Sequence, residues 1–158
     1  MTGIIGIGNL LLKDEGLGVH FITRLREKYS FGPEIRLMDG STSGYSLLDD
    51  IFGLDNVIVV DAVKTGEKPG SIFKFREDDL PVELMNKTAH GVEFIDVITM
   101  CALEGHRPKI TIFAVAPEDC HGLGITLSPA VQNIMPALEK LVLEELKALS
   151  PGEISPPN

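Results

Sequence analysis

At 158 residues, with 44% hydrophobic and 23% charged side chains, the chain has the size and composition of one globular domain, and a disordered or fibrous protein is excluded. Fourteen Lys and Arg against 23 Asp and Glu leave a net charge of -9, which disfavours nucleic acid and anionic membrane and suits a metal cation or a basic peptide. No apolar run approaches the roughly 20 residues of a membrane span, no basic leader precedes the first strand, and two cysteines, Cys101 and Cys120, are too few for a disulfide framework; a cytoplasmic chain with reduced thiols is expected.

Residues 2 to 7 are apolar and rich in isoleucine, as in a buried strand. A glycine turn, Gly6-Ile7-Gly8-Asn9, leads to adjacent carboxylates, Asp14 and Glu15. From Gly16 to Tyr29 the apolar positions Leu17, Phe21, Ile22, Leu25 and Tyr29 recur at helical spacing. Glu34 to Met38 reads as a second strand ending at Asp39, followed by a small-residue loop and a short helix near Tyr45 to Phe52. Asn56 to Val60 is nearly all β-branched, predicting a central strand that stops at Asp61. Ser71 to Phe75 alternates as an edge strand, and Glu77 to Asp79 with Pro81 reads as a loop. His90 stands before a helix predicted over Gly91 to Leu103.

Lys109 to Val115 is another buried strand, and the loop from Ala116 to Thr126 carries Cys120 and His121. Ser128 and Pro129 open the last helix as N-cap and first helical residue. Its stripe is Val131, Ile134, Met135, Leu138, Leu141, Leu146 and Leu149, with a kink expected at Pro136. Residues 151 to 158 read as a flexible tail on a single domain of residues 1 to 150. Strands alternating with helices predict a three-layer α/β fold with a mostly parallel, twisted central sheet. Ligands of such sheets bind beyond the carboxyl ends of the strands, which gathers Glu15, Asp39 and Asp61 at one edge.

Nucleotide binding is disfavoured there. A dinucleotide fingerprint needs a glycine where Leu11 stands, no Walker lysine is present, and two carboxylates at a helix start repel a phosphate. Taken singly, Asp14 and Glu15 read as a helix cap and a first-turn acid. Asp39, Asp61 and His90 each read as a turn or cap residue. If Glu15, Asp61 and His90 converge, two carboxylates and an imidazole suit zinc or nickel and leave coordination positions open. Cys120 with His121 is a competing metal or nucleophile pair, although neighbours in an extended loop point apart. Conventional serine-hydrolase and zinc-peptidase motifs are absent.

The opening GIGNLLLKDEGLG, the strand end VVDAV at Val59 to Val63, His90 and the late GLGITLSPAV at Gly122 to Val131 together resemble the hydrogenase maturation endopeptidases, from Ile4 to about Leu146. That resemblance implies an α/β enzyme that removes a short C-terminal extension from the large-subunit precursor of nickel-iron hydrogenases after nickel insertion. It further implies that Glu15, Asp61 and His90 contact nickel carried by the substrate, a site that zinc or cadmium could occupy in vitro. Asp39 matches a loop aspartate that the family places before Gly-Gly-Thr, with Ser41 here replacing the second glycine; an aspartyl-type catalytic role is the expectation for it. Two alternatives stand beside this reading, a non-catalytic metal-binding or chaperone-like module and a peptidase with its own zinc. Asp14 is left as the helix cap. Gly16 and Gly18 are expected to keep the helix start small for an approaching protein substrate.

Overall fold

The computed structural model describes residues 1–42, 47–76, 79, 89–150 and 152–156, with the backbone alone at 89–93. In chain order the elements are β1 (Thr2–Ile7), a 3-10 turn (Lys13–Gly16), α1 (Leu17–Lys28), β2 (Ser30–Phe31), β3 (Ile35–Ser41), α2 (Leu48–Ile51), β4 (Asn56–Ala62), β5 (Ile72–Arg76), α3 (Ala89–Leu103), β6 (Lys109–Val115), α4 (Pro129–Leu149) and β7 (Ile154–Ser155). The expected loop from Glu77 to Pro81 lies outside the described residues except at Asp79, as does the first part of the predicted Tyr45 to Phe52 helix.

Five strands form one twisted sheet in the order β3-β1-β4-β6-β5. The first four run parallel, and β5 pairs antiparallel with β6 as the edge strand. Alternating side chains divide the core into two layers. Ile4, Ile58, Val60, Phe113 and Val115 point to the face covered by α1 and α4. Ile5, Val57, Val59, Ile112 and Ala114 point to the face covered by α2 and α3. The three-layer, mostly parallel architecture expected from the sequence is present, and burial of both faces explains why the central strands read as unbroken apolar runs.

Four local expectations change. Strands β3 and β4 run past their predicted ends, so Asp39 lies within β3 and Asp61 within β4, where Asp61 pairs in register with Ala114. Leu141 is 41% exposed while Val142 is fully buried, so the apolar face of α4 turns one position from the predicted stripe. Where a flexible tail is expected, Ile154–Ser155 pair antiparallel with Ser30–Phe31. Gly18 serves packing within the fold: a Cβ there would lie 2.3 Å from the Ile7 carbonyl oxygen and 2.4 Å from that of Val60, and one on Gly6 would lie 2.0 Å from the Gly18 oxygen. The first turn of α1 therefore rests directly on the backbones of β1 and β4, which only hydrogen atoms at these positions permit.

Candidate functional site at the strand-order switch

After β1 the chain leaves to one side for β3, then crosses to β4 on the other side of β1. The carboxyl ends of β1 and β4 meet at this switch in strand order, the place where open α/β sheets hold ligands. Gly8, at φ 142°, starts the connection. Its Cβ would meet the Glu15 carbonyl oxygen at 1.7 Å, and the Asn9 amide donates to that oxygen at 3.2 Å. The loop therefore folds back so that Glu15 stands beside the end of β1.

Asp61 reaches this edge of the sheet from β4. Its side chain is 3% exposed, and its carboxyl is pushed up to about 7, first by burial and then by the negative charge of Glu15, with the Ala62 amide pulling the other way. Glu15 and Asp61 are thus electrostatic neighbours, and Glu15 Oε2 is buried. A cation placed between two neighbouring buried carboxylates would relieve their mutual repulsion.

The sequence places His90 just before a helix; in the structure it is the second residue of α3. Its side chain lies outside the described residues. The backbone direction still fixes its end of the sheet. The far end of α3 leads through Gly105 and His106 into the start of β6, and His106 Nε2 accepts from the Gly53 amide at 3.3 Å just ahead of β4. Fifteen helical residues span about 22 Å, roughly the length of a seven-residue strand, so the start of α3 returns to the carboxyl edge. Among the described residues no group of three or more His, Cys, Asp or Glu is disposed to hold a metal; the described part of the expected set is the Glu15 and Asp61 pair.

Asp39 lies one strand beyond β1 on the other side, in register with Gly6, whose partner on β4 is Val60. Two inter-strand spacings put its backbone about 10 Å from that of Asp61. Its side chain is exposed, and Oδ1 accepts from the Ser41 amide at 2.9 Å. Ser41 has φ 44°, the left-handed region that favours glycine, and the Asp39 carboxylate braces that turn.

Asp14 is not the cap of α1, since that helix begins at Leu17 with Gly16 as its N-cap and no side-chain cap. Fully buried, Asp14 holds the loop that follows β6. Oδ2 accepts from the Glu118 and Asp119 amides, both at 2.9 Å, and Oδ1 from the Ser128 amide at 2.6 Å. Lys13 Nζ reaches Asp119 Oδ2 at 2.6 Å, and the Lys13 amide donates to the Gly124 carbonyl at 2.8 Å. His20, left without a partner by the sequence, meets the Ile125 carbonyl through Nε2 at 2.9 Å.

That loop carries Cys120 and His121 to the same edge. Burial, followed by the charge of Glu15, pushes the Cys120 thiol up to about 12. A thiol held neutral in this way is no nucleophile at neutral pH. His121 turns instead toward Lys64, whose Nζ donates to Nε2 at 2.5 Å. Lys64 and this contact were not legible in the sequence, because the turn after β4 carries no motif. Cys101 is core, fully buried in α3.

Comparison with known proteins bears on the family and the fold. The family model described as hydrogenase maturation protease matches residues 19–145. The hydrogenase expression/formation protein HoxM of Azotobacter vinelandii is 38% identical over 147 residues, covering 90% of this chain and 70% of that protein. Hydrogenase 2 maturation protease of Escherichia coli is 32% identical over 143 residues, covering 88% and 87%. The structure of the hydrogenase maturating endopeptidase HybD from Escherichia coli superposes with a TM-score of 0.91 at 29% identity, over 98% of this chain and 96% of that one.

Proposed function

This chain belongs to the hydrogenase maturation protease family and is a peptidase, and from that premise we propose that it removes the C-terminal extension of a nickel-iron hydrogenase large-subunit precursor once nickel is in place. Membership of a peptidase family sets aside the non-catalytic module. The observation that carries the finer reading is the juxtaposition of Glu15 and Asp61 at the strand-order switch, with Asp61 pushed up to about 7 by burial and by its neighbour. A buried carboxylate whose charged form is disfavoured by burial and by a neighbouring carboxylate gains from a divalent ion arriving from outside.

In this reading the nickel belongs to the substrate. Glu15 and Asp61, with His90 from the start of α3, contact the ion held by the precursor and so fix the register of the chain to be cut. Fixing that register converts recognition into proximity, a gain that reaches about 7 to 11 kcal/mol of barrier in well-oriented systems. Asp39, about 10 Å across β1 from Asp61, is proposed to hold the Ser41 turn that flanks the docked chain. No described helix is long and apolar enough to cross a membrane.

The test compares nickel-loaded and nickel-free precursor. Purified protein is added to each, and mass spectrometry follows loss of the C-terminal peptide. Cleavage of the loaded form alone is expected, and equal cleavage of both would overturn recognition through nickel. Metal analysis of the protein purified without substrate accompanies it, where stoichiometric zinc would favour a resident-metal peptidase.

A further inference from the structure

Beside the carboxylate pair, the turn after β4 and the loop after β6 enclose a cavity of about 350 Å³ lined by Lys64, Glu67, Pro117, Glu118, Cys120 and His121, among others. The Cys120 thiol feels the charges of Glu15, Lys64, Asp14 and Asp61, so the cavity that it lines adjoins the carboxylate pair. Among the described residues Lys64 is the one lysine in a wall that also carries Glu67, Glu118 and Asp119.

A surface lysine ordinarily samples many rotamers, at an entropic cost when one is fixed. Lys64 is held by an acceptor that is itself held. Its Nζ donates to His121 Nε2 at 2.5 Å. The His121 amide donates to Asp119 Oδ1 at 3.1 Å, and the Gly122 amide to the same oxygen at 2.8 Å. Asp119 is fixed in turn by Lys13, and its amide by Asp14. One framework therefore joins Asp14, the residue before Glu15, to the Lys64 ammonium. An ammonium has three N–H donors and spends one on the imidazole, so two remain for a ligand.

Hydrolysis of a peptide bond needs such a donor. Water adds its oxygen to the carbonyl carbon, the C–N bond breaks, and the products are a carboxylate and an amine that carries the extra proton. Negative charge builds on the carbonyl oxygen before the bond breaks, and carboxylates such as Glu15, Asp61 and Asp39 cannot stabilise it.

We propose that Lys64 is a catalytic residue that donates a hydrogen bond to the oxygen of the scissile carbonyl as charge develops there, and that His121 is a positioning residue that holds the Lys64 ammonium at that point. The assignment rests on the processing function proposed above. It gives the site an order across the sheet edge, with Asp39 beyond β1, the ion-contacting pair between β1 and β4, and the oxyanion donor beyond β4.

The experiment uses nickel-loaded precursor with the wild type, Lys64→Met, Lys64→Arg, His121→Leu and His121→Gln. It reads the single-turnover cleavage rate, the affinity for uncleaved precursor and the thermal midpoint. Lys64→Met is expected to lose about 10²-fold or more in rate, with affinity and midpoint unchanged. Lys64→Arg retains part of the rate. His121→Gln, whose amide oxygen can still accept, exceeds His121→Leu. Cleavage by Lys64→Met within about threefold of the wild type, or a loss of affinity as large as the loss of rate, would overturn the assignment. A wild type that cuts loaded and nickel-free precursor alike removes the nickel reading while leaving the Lys64 comparison valid; a wild type that cuts neither overturns both.

Discussion

The carboxylate of Asp14 accepts the backbone amide of Ser128 at 2.6 Å, and Ser128 itself caps α4 by accepting from the Val131 amide. Two ends of the fold, the loop after the first strand and the start of the last helix, thus meet on one buried side chain. Asp14→Ala strands three amides and is expected to cost about 2–4 kcal/mol, measured by urea denaturation. Hydrogen exchange in that variant is expected to speed up at Glu118, Asp119 and Ser128 first. An unchanged midpoint would show that water replaces the carboxylate without loss.

Asp61 sets a pH dependence with an unusual sign. Its carboxyl stands at about 7 in the fold against an ordinary 3.8. Between those values the folded chain holds a proton that the unfolded chain has released, so this group's contribution to stability falls as pH rises from about 4 to 7. Asp61→Asn is expected to raise stability above pH 7 by about 1–3 kcal/mol, with no gain at pH 4. The same variant is expected to lose processing. A destabilised Asp61→Asn at pH 8 would mean that the carboxylate is already paired in the free protein.

Ser41 occupies a left-handed conformation at φ 44°, the region that favours glycine. Ser41→Gly is expected to stabilise by about 0.5–1 kcal/mol, because relief of backbone strain exceeds the added freedom of the unfolded chain. Thermal melts of the two proteins decide the sign.

Cys120 feels both the carboxylates and Lys64, yet burial and the adjoining negative charge keep its thiol protonated. Cys120→Ala is expected to retain processing within about threefold and to resist alkylation of the site. A loss of several orders of magnitude would return the thiol to the chemistry.

The sheet was legible because its central strands are buried on both faces, which leaves runs such as Asn56 to Val60 with little alternation. Glu15 and Asp61 were legible because each follows such a run. Asp14 misled, because its partners lie 104 to 114 residues away and helix-capping residues look the same in a sequence. The burial of Glu139 was not legible for another reason. It breaks the apolar face of α4, yet it is buried at 5% exposure by accepting from Lys28 Nζ at 2.6 Å, from Tyr29 OH at 2.7 Å and from Arg24. Spacing within one helix carries no record of three donors supplied by another.

Placing Asp61 inside the β4 ladder, in register with Ala114, has a consequence for fidelity. A side chain mounted on a hydrogen-bonded strand has little freedom to travel, so under the function proposed above an incoming ion would have to arrive at the carboxylate's own position. The sheet would then work as a gauge. A precursor whose metal is missing or displaced would present its peptide bond out of line, and an unfinished subunit would keep its extension.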